Sequence, residues 1–91
     1  MAVRTHLFIS GEVQGVGFRW AVEDKARAAD ITGWVRNLPD GRVEAVFEGD
    51  EEQVQRMIEF CRRGPTTARV EDVQVIPEEY SGECTAFSIL R

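Results

Sequence analysis

The stretch Gly11-Glu12-Val13-Gln14-Gly15-Val16-Gly17-Phe18-Arg19 sets three glycines and an arginine where a strand-like segment gives way to a helix-like one. A helix N-terminus presents free N–H groups and the positive end of the macrodipole, so it favours an anion. Gly15 and Gly17 allow successive backbone N–H groups to turn inward as a nest. Arg19 adds a permanent cation with a planar donor fork at the same end. Together these suit a phosphate-sized anion; the plain alternative is a flexible turn. The familiar phosphate motifs are absent. A GxGxxG pattern begun at Gly15 meets Trp20 at its third glycine, and the chain has no Gly-Lys-Ser/Thr tripeptide. No cysteine, serine or histidine lies between Gly11 and Arg19, so the cradle brings no nucleophile of its own. Phosphoryl chemistry here needs a water oriented by some other group.

Asn37 is the candidate for that group, because an amide can donate to a phosphoryl oxygen and accept from a water. It also stands just before Leu38-Pro39-Asp40-Gly41, where an asparagine can do no more than prepare the turn. His6 is the single histidine, which excludes a multi-histidine metal site, and no nucleophile motif accompanies it. Its position in an alternating segment reads as an exposed strand histidine. Cys61 and Cys84 are too far apart for a CxxC pattern. Without an export signal both are expected as thiols, a pairing remaining open if their backbones come close.

The elements that must position these residues follow from periodicity. Over residues 3–10, Val3, Thr5, Leu7 and Ile9 point one way and Arg4, His6, Phe8 and Ser10 the other, which is a strand with one buried face. Phe18, Val22, Ala26 and Ala29 recur at helical spacing and predict an amphipathic helix. Residues 31–37 read as a second strand; Pro39-Asp40-Gly41 supplies turn chemistry. Val43, Ala45 and Phe47 then alternate with Arg42, Glu44, Val46 and Glu48, completing a hairpin. Asp50 followed by Gln53 reads as an N-cap with a variant capping box. Val54, Met57, Ile58 and Cys61 form the next helix's buried stripe, and Gly64-Pro65 ends it. A fourth strand is expected from about Ala68 to Ile76, and a short last one carries Phe87 and Ile89. Strand, helix, strand, strand, helix, strand with a short extra C-terminal strand predicts an α+β fold. We expect a two-layer ferredoxin-like sandwich, its mainly antiparallel sheet covered by two helices on one face.

Composition bounds the rest. The chain has 91 residues, with 11 Lys+Arg against 16 Asp+Glu and a net charge of −5. That length suits one domain, 1–91, with a modest core of its own. Hydrophobic residues at 43% and charged residues at 30% describe an ordinary globule rather than a disordered or fibrous chain. The negative balance argues against nucleic acid as a partner. No apolar run approaches the roughly 20 residues of a membrane span, and Met1 to Ser10 lacks the pattern of a signal peptide.

Two segments resemble a known family. Gly11-Glu12-Val13-Gln14-Gly15-Val16-Gly17-Phe18-Arg19 is similar to the first signature of acylphosphatases, Gly-x-Val-Gln-Gly-Val-x-Phe-Arg. Gly33-Trp34-Val35-Arg36-Asn37-Leu38-Pro39-Asp40-Gly41-Arg42-Val43, with Gly49 beyond it, is similar to the second. The likeness runs on through Gly64-Pro65, Ala68, Val70 and the closing Phe87-x-Ile89. The resemblance implies a small cytoplasmic hydrolase that cleaves the carboxyl–phosphate bond of acyl phosphates with no metal and no cofactor. It implies that Arg19 binds the phosphate with the N–H groups of Gln14, Gly15, Val16, Gly17, Phe18 and Arg19, that Asn37 positions the attacking water, and that the ferredoxin-like fold brings the two together. A monomer is expected, with a small-molecule acyl phosphate as substrate, inorganic phosphate as product and inhibitor, and neither nucleic acid nor membrane as partner. The alternative is a non-catalytic anion or acyl-phosphate binding module on the same fold, as at the front of larger maturation proteins. The end at Arg91, without zinc-finger cysteines, is read as favouring the free-standing enzyme. An RNA-recognition domain shares the layout, but Val43, Ala45 and Val46 and the net charge do not suit it.

Overall fold

The computed structural model of the protein describes residues 1–90. Its elements run β1 (Ala2–Glu12), α1 (Phe18–Ala28), β2 (Thr32–Asn37), β3 (Val43–Asp50), α2 (Glu51–Arg63), β4 (Arg69–Glu78) and β5 (Phe87–Ile89). The sheet order is β4-β1-β3-β2-β5. All neighbours are antiparallel except β2 and β5, which run parallel. This is the ferredoxin-like arrangement expected from the element order, with the short last strand added at the β2 edge.

The periodic stripes are buried as their spacing requires. Leu7 and Ile9 of β1, Val35 of β2, and Val43, Ala45 and Phe47 of β3 share one core with Phe18, Val22 and Ala26 of α1 and Val54, Met57, Ile58 and Cys61 of α2. Both helices therefore cover the same face. Gly64, at positive φ, terminates α2. Cys61 and Cys84 are free thiols, and burial pushes the Cys61 thiol up to about 12, which keeps it unreactive. No helix of the described residues is long and apolar enough to cross a membrane.

Three local readings are corrected. The alternation in β3 predicts one polar face, yet every residue from Val43 to Glu48 is buried. β3 lies inside the sheet, and its outer face is roofed by charged side chains that pair with one another, although Glu48 Oε1 is buried without a partner. Arg36 Nε donates to Glu44 at 2.6 Å, and Arg4 donates to Glu78 at 2.8 Å and to Glu48 at 3.2 Å. Ser81 adds its backbone N–H and hydroxyl to Glu48 at 3.0 and 2.9 Å. His6, read as exposed, is part of this roof, with Nε2 at 2.6 Å from Glu44 and Nδ1 at 2.9 Å from Glu78. In the register it faces Val46 and Ile76, so these carboxylates are its diagonal neighbours across the strands. Asp50 occupies the N-cap position of α2 but makes no side-chain cap; its carboxylate faces the N-terminal ammonium at 3.4 Å instead. The charged amine competes successfully with a neutral N–H for the same oxygen.

Register decides where Asn37 stands. It pairs with Val43, which pairs in turn with Ile9, and Ile9 pairs with Val73. Side chains in such a row share a face. Asn37 thus belongs to the helix-covered face, at the end of the sheet where β1 runs into its loop.

Candidate active site

The loop from β1 to α1 is shaped by backbone conformation rather than by lack of room. Gly15 and Gly17 have φ of +75° and +79°, and a Cβ at either would meet nothing within 4 Å. Only the left-handed backbone demands glycine there. Gly17 is the N-cap of α1, with no side-chain cap, and the first turn carries no acidic residue. The first bond closing the helix runs from Ala21 N–H to Gly17 O at 3.1 Å, so the N–H groups before it are left without helical partners. α2 differs: Glu51 and Glu52 fill its first turn, and Glu51 N–H donates to Met1 O at 2.9 Å. The N-terminus of α1 is the one available to an external anion.

Arg19 sits on this turn and, with Val13, Gly15, Gly17, Phe18 and Trp20, lines a hollow of about 320 Å³. Among the described residues no carboxylate pairs with its guanidinium. In a protein of net charge −5, that leaves an uncompensated guanidinium at the hollow to meet an anion. Phe18 is buried beneath the turn and fixes its seat on the core.

Asn37 Oδ1 is buried and has no hydrogen-bond partner. A buried amide oxygen is ordinarily satisfied, and an orphan at a site end is a place for a water or ligand donor. Its turn is held from within. Leu38 N–H donates to Arg42 O at 2.8 Å and Gly41 N–H to Leu38 O at 3.2 Å. Asp40 accepts from Arg42 N–H at 3.1 Å and from Arg42 Nε at 2.8 Å. Those two donors hold the Asp40 carboxyl below the usual carboxylate range and commit it to the turn. The Arg42 guanidinium lies 4.9 Å over the Phe8 ring.

The loop and the turn are joined directly by a group the sequence reading used only for its backbone. Gln14 Nε2 donates to both Leu38 O and Arg42 O, at 2.8 Å each. One amide thereby ties the glycine loop to the two ends of the turn that follows Asn37. On the other side Thr67 Oγ1 donates to Val16 O at 2.6 Å and anchors the loop to the segment before β4. Neither role has a local sequence signal, since the partners of Gln14 are 24 and 28 residues away and that of Thr67 is 51. Of the expected site residues, Arg19 and the glycines share the hollow; Asn37 stands at the same end of the sheet, linked to the loop through Gln14.

The Acylphosphatase family model matches residues 5–89. The chain is 56% identical over 88 residues to an acylphosphatase of Chloroflexus aurantiacus, spanning 97% of this chain and 96% of the relative. It is 55% identical over 87 residues to an acylphosphatase of Roseiflexus, spanning 96% and 94%. The crystal structure of acylphosphatase from Bacillus subtilis superposes with a TM-score of 0.93 at 35% identity, covering 100% of both chains. With both signatures in place, the loop and turn clamped together, and relatives more than half identical from end to end, the chain belongs to the acylphosphatase family.

Proposed function

We propose that this acyl-phosphate hydrolase works by direct attack of water on phosphorus, with Arg19 and Asn37 as its catalytic residues. The observation that carries the reading is the uncapped N-terminus of α1 beside the unpaired guanidinium of Arg19. The phosphoryl group sits against the N–H groups of Gln14 through Arg19, and the arginine fork binds two of its oxygens. The Asn37 amide holds the water; its partnerless Oδ1 supports this, since it is free to accept a proton donor. Water adds to phosphorus as the bond from phosphorus to the carboxyl oxygen breaks. The products are a carboxylate, inorganic phosphate and a proton, which the phosphate itself can accept. A carboxylate leaves readily, so positioning and stabilisation of the equatorial oxygens carry the acceleration and no tuned acid is required. No step is routed through a metal or cofactor. Inorganic phosphate competes for the same cradle. Residues 1–91 act as one domain, as a monomer in the cytoplasm.

An assay with a synthetic aryl acyl phosphate, run with and without a chelator, tests the reading. Turnover indifferent to the chelator is expected, with competitive inhibition by inorganic phosphate. Loss of turnover on chelation would overturn the metal-independent mechanism, and binding without turnover would return the protein to the class of anion-binding modules.

A further inference from the structure

Trp20 is 75% exposed, more than any other aromatic side chain among the described residues. It follows Arg19 on the first turn of α1 and forms the shared wall of two hollows. One is the 320 Å³ hollow that holds Gly15, Gly17 and Arg19. The other, about 380 Å³, is lined by Trp20, Ala21, Glu23 and Asp24. Asn37 and the turn after it line neither. In-line phosphoryl transfer puts the attacking water and the leaving oxygen on opposite sides of phosphorus. With water held at Asn37, the acyl group leaves the cradle on the side away from the β2–β3 turn, and Trp20 is the exposed apolar side chain of the hollow's lining that can receive it.

We propose that Trp20 is the platform for the acyl group and sets substrate preference: a flat, uncharged acyl group, an aromatic one best of all, lies against the indole. The proposal rests on the roles of Arg19 and Asn37 given above. An aryl ring stacked on the indole removes apolar surface of both partners from water and gains the offset contact that aromatic pairs favour. A short acetyl group reaches little of it. Beyond the indole the second hollow is acidic. Glu23 is partly offset by Arg27 at 3.1 Å, whereas Asp24 has no ion-pair partner among the described residues. An acyl chain ending in a carboxylate meets both within a Debye length and is disfavoured.

The test compares kcat/KM for benzoyl phosphate and acetyl phosphate in the full chain and in Trp20→Ala and Trp20→Phe. Binding of the two non-hydrolysable analogues, with a methylene in place of the bridging oxygen, is followed by calorimetry. Trp20→Ala should lower the benzoyl-to-acetyl ratio about tenfold, chiefly through KM, and weaken the aryl analogue relative to the methyl one by a similar factor. Trp20→Phe should restore most of the ratio, and the inhibition constant of inorganic phosphate should shift by about twofold or less. An unchanged ratio, or equal losses for both substrates and both analogues, would overturn the proposal. If the native chain binds the analogues but turns over neither substrate, the hydrolytic mechanism is at fault, and the calorimetric ratio alone decides the role of Trp20.

Discussion

At Arg19 the difference between arginine and lysine is one of geometry rather than of charge. A lysine ammonium is a point cation that cannot span two phosphoryl oxygens with a planar fork. Arg19→Lys is therefore expected to be nearly as damaging as Arg19→Ala, each losing about 2–4 kcal/mol of transition-state stabilisation together with phosphate affinity. Steady-state kinetics with phosphate inhibition measures both, and a lysine variant with native kinetics would refute bidentate binding. Asn37→Ala separates binding from chemistry. The amide carries no charge to anchor a dianion, so turnover should fall while phosphate still binds by calorimetry. Stability should drop by about 1 kcal/mol or less, because Oδ1 already lacks a partner and no bond to it is broken. A collapse of phosphate binding with the fold intact would make Asn37 a phosphate ligand instead.

Among the described residues, the side-chain hydrogen bonds that join the loop to the turn all come from Gln14. Its amide gives two hydrogen bonds of 2.8 Å, yet each carbonyl also accepts from another backbone N–H, Leu38 O from Gly41 and Arg42 O from Leu38. Gln14→Ala leaves neither carbonyl orphaned and should cost only about 1–2 kcal/mol of stability. Activity is the more sensitive readout, because a small shift between cradle and water site spoils the attack geometry. A loss of about 10- to 100-fold in kcat/KM is expected with an unchanged circular dichroism spectrum. Native activity in this variant would show that Arg19 and Asn37 are held in place without the clamp. Gln14→Glu is the sharper control, since a carboxylate of the same length can only accept.

Across the whole molecule the outer face of the sheet is held by charge rather than by a second layer of helices. Burial opposes the charges of Glu44 and Glu48. Arg36 and His6 outweigh it at Glu44, and the Ser81 backbone and hydroxyl with Arg4 outweigh it at Glu48, so both carboxyls lie below the usual glutamate range. Arg4 and then His6 do the same for Glu78. A carboxyl whose folded value is depressed stabilises the fold fully above its unfolded value of about 4.3, and that contribution is lost as pH falls through the folded value. The urea midpoint should therefore hold from neutrality to about pH 5 and fall below about pH 4.3. Glu44→Gln should lower stability at neutral pH by about 1–3 kcal/mol and flatten the acid limb. An acid limb as steep as the native one would remove Glu44 from its cause.

Much of this protein is legible locally. The period of two in residues 3–10, the stripe Val54, Met57, Ile58 and Cys61, the Pro39-Asp40-Gly41 turn and the Gly64-Pro65 stop each depend on neighbours a few residues away. So does the glycine loop with Arg19, because a left-handed backbone and a helix N-terminus are short-range properties. Other features could not be read that way. The row joining Asn37, Val43, Ile9 and Val73 is a matter of strand register. The burial of Glu44 and Glu48 and the engagement of His6 follow from β3 lying inside the sheet, with partners 38 and 72 residues from His6. The Gln14 clamp spans 24 and 28 residues. Periodicity and turn chemistry are energies of adjacent residues, so the chain carries them before it folds. Register, and the pairing of buried polar groups across strands, exist only once distant segments have met, and only the tertiary structure decides them.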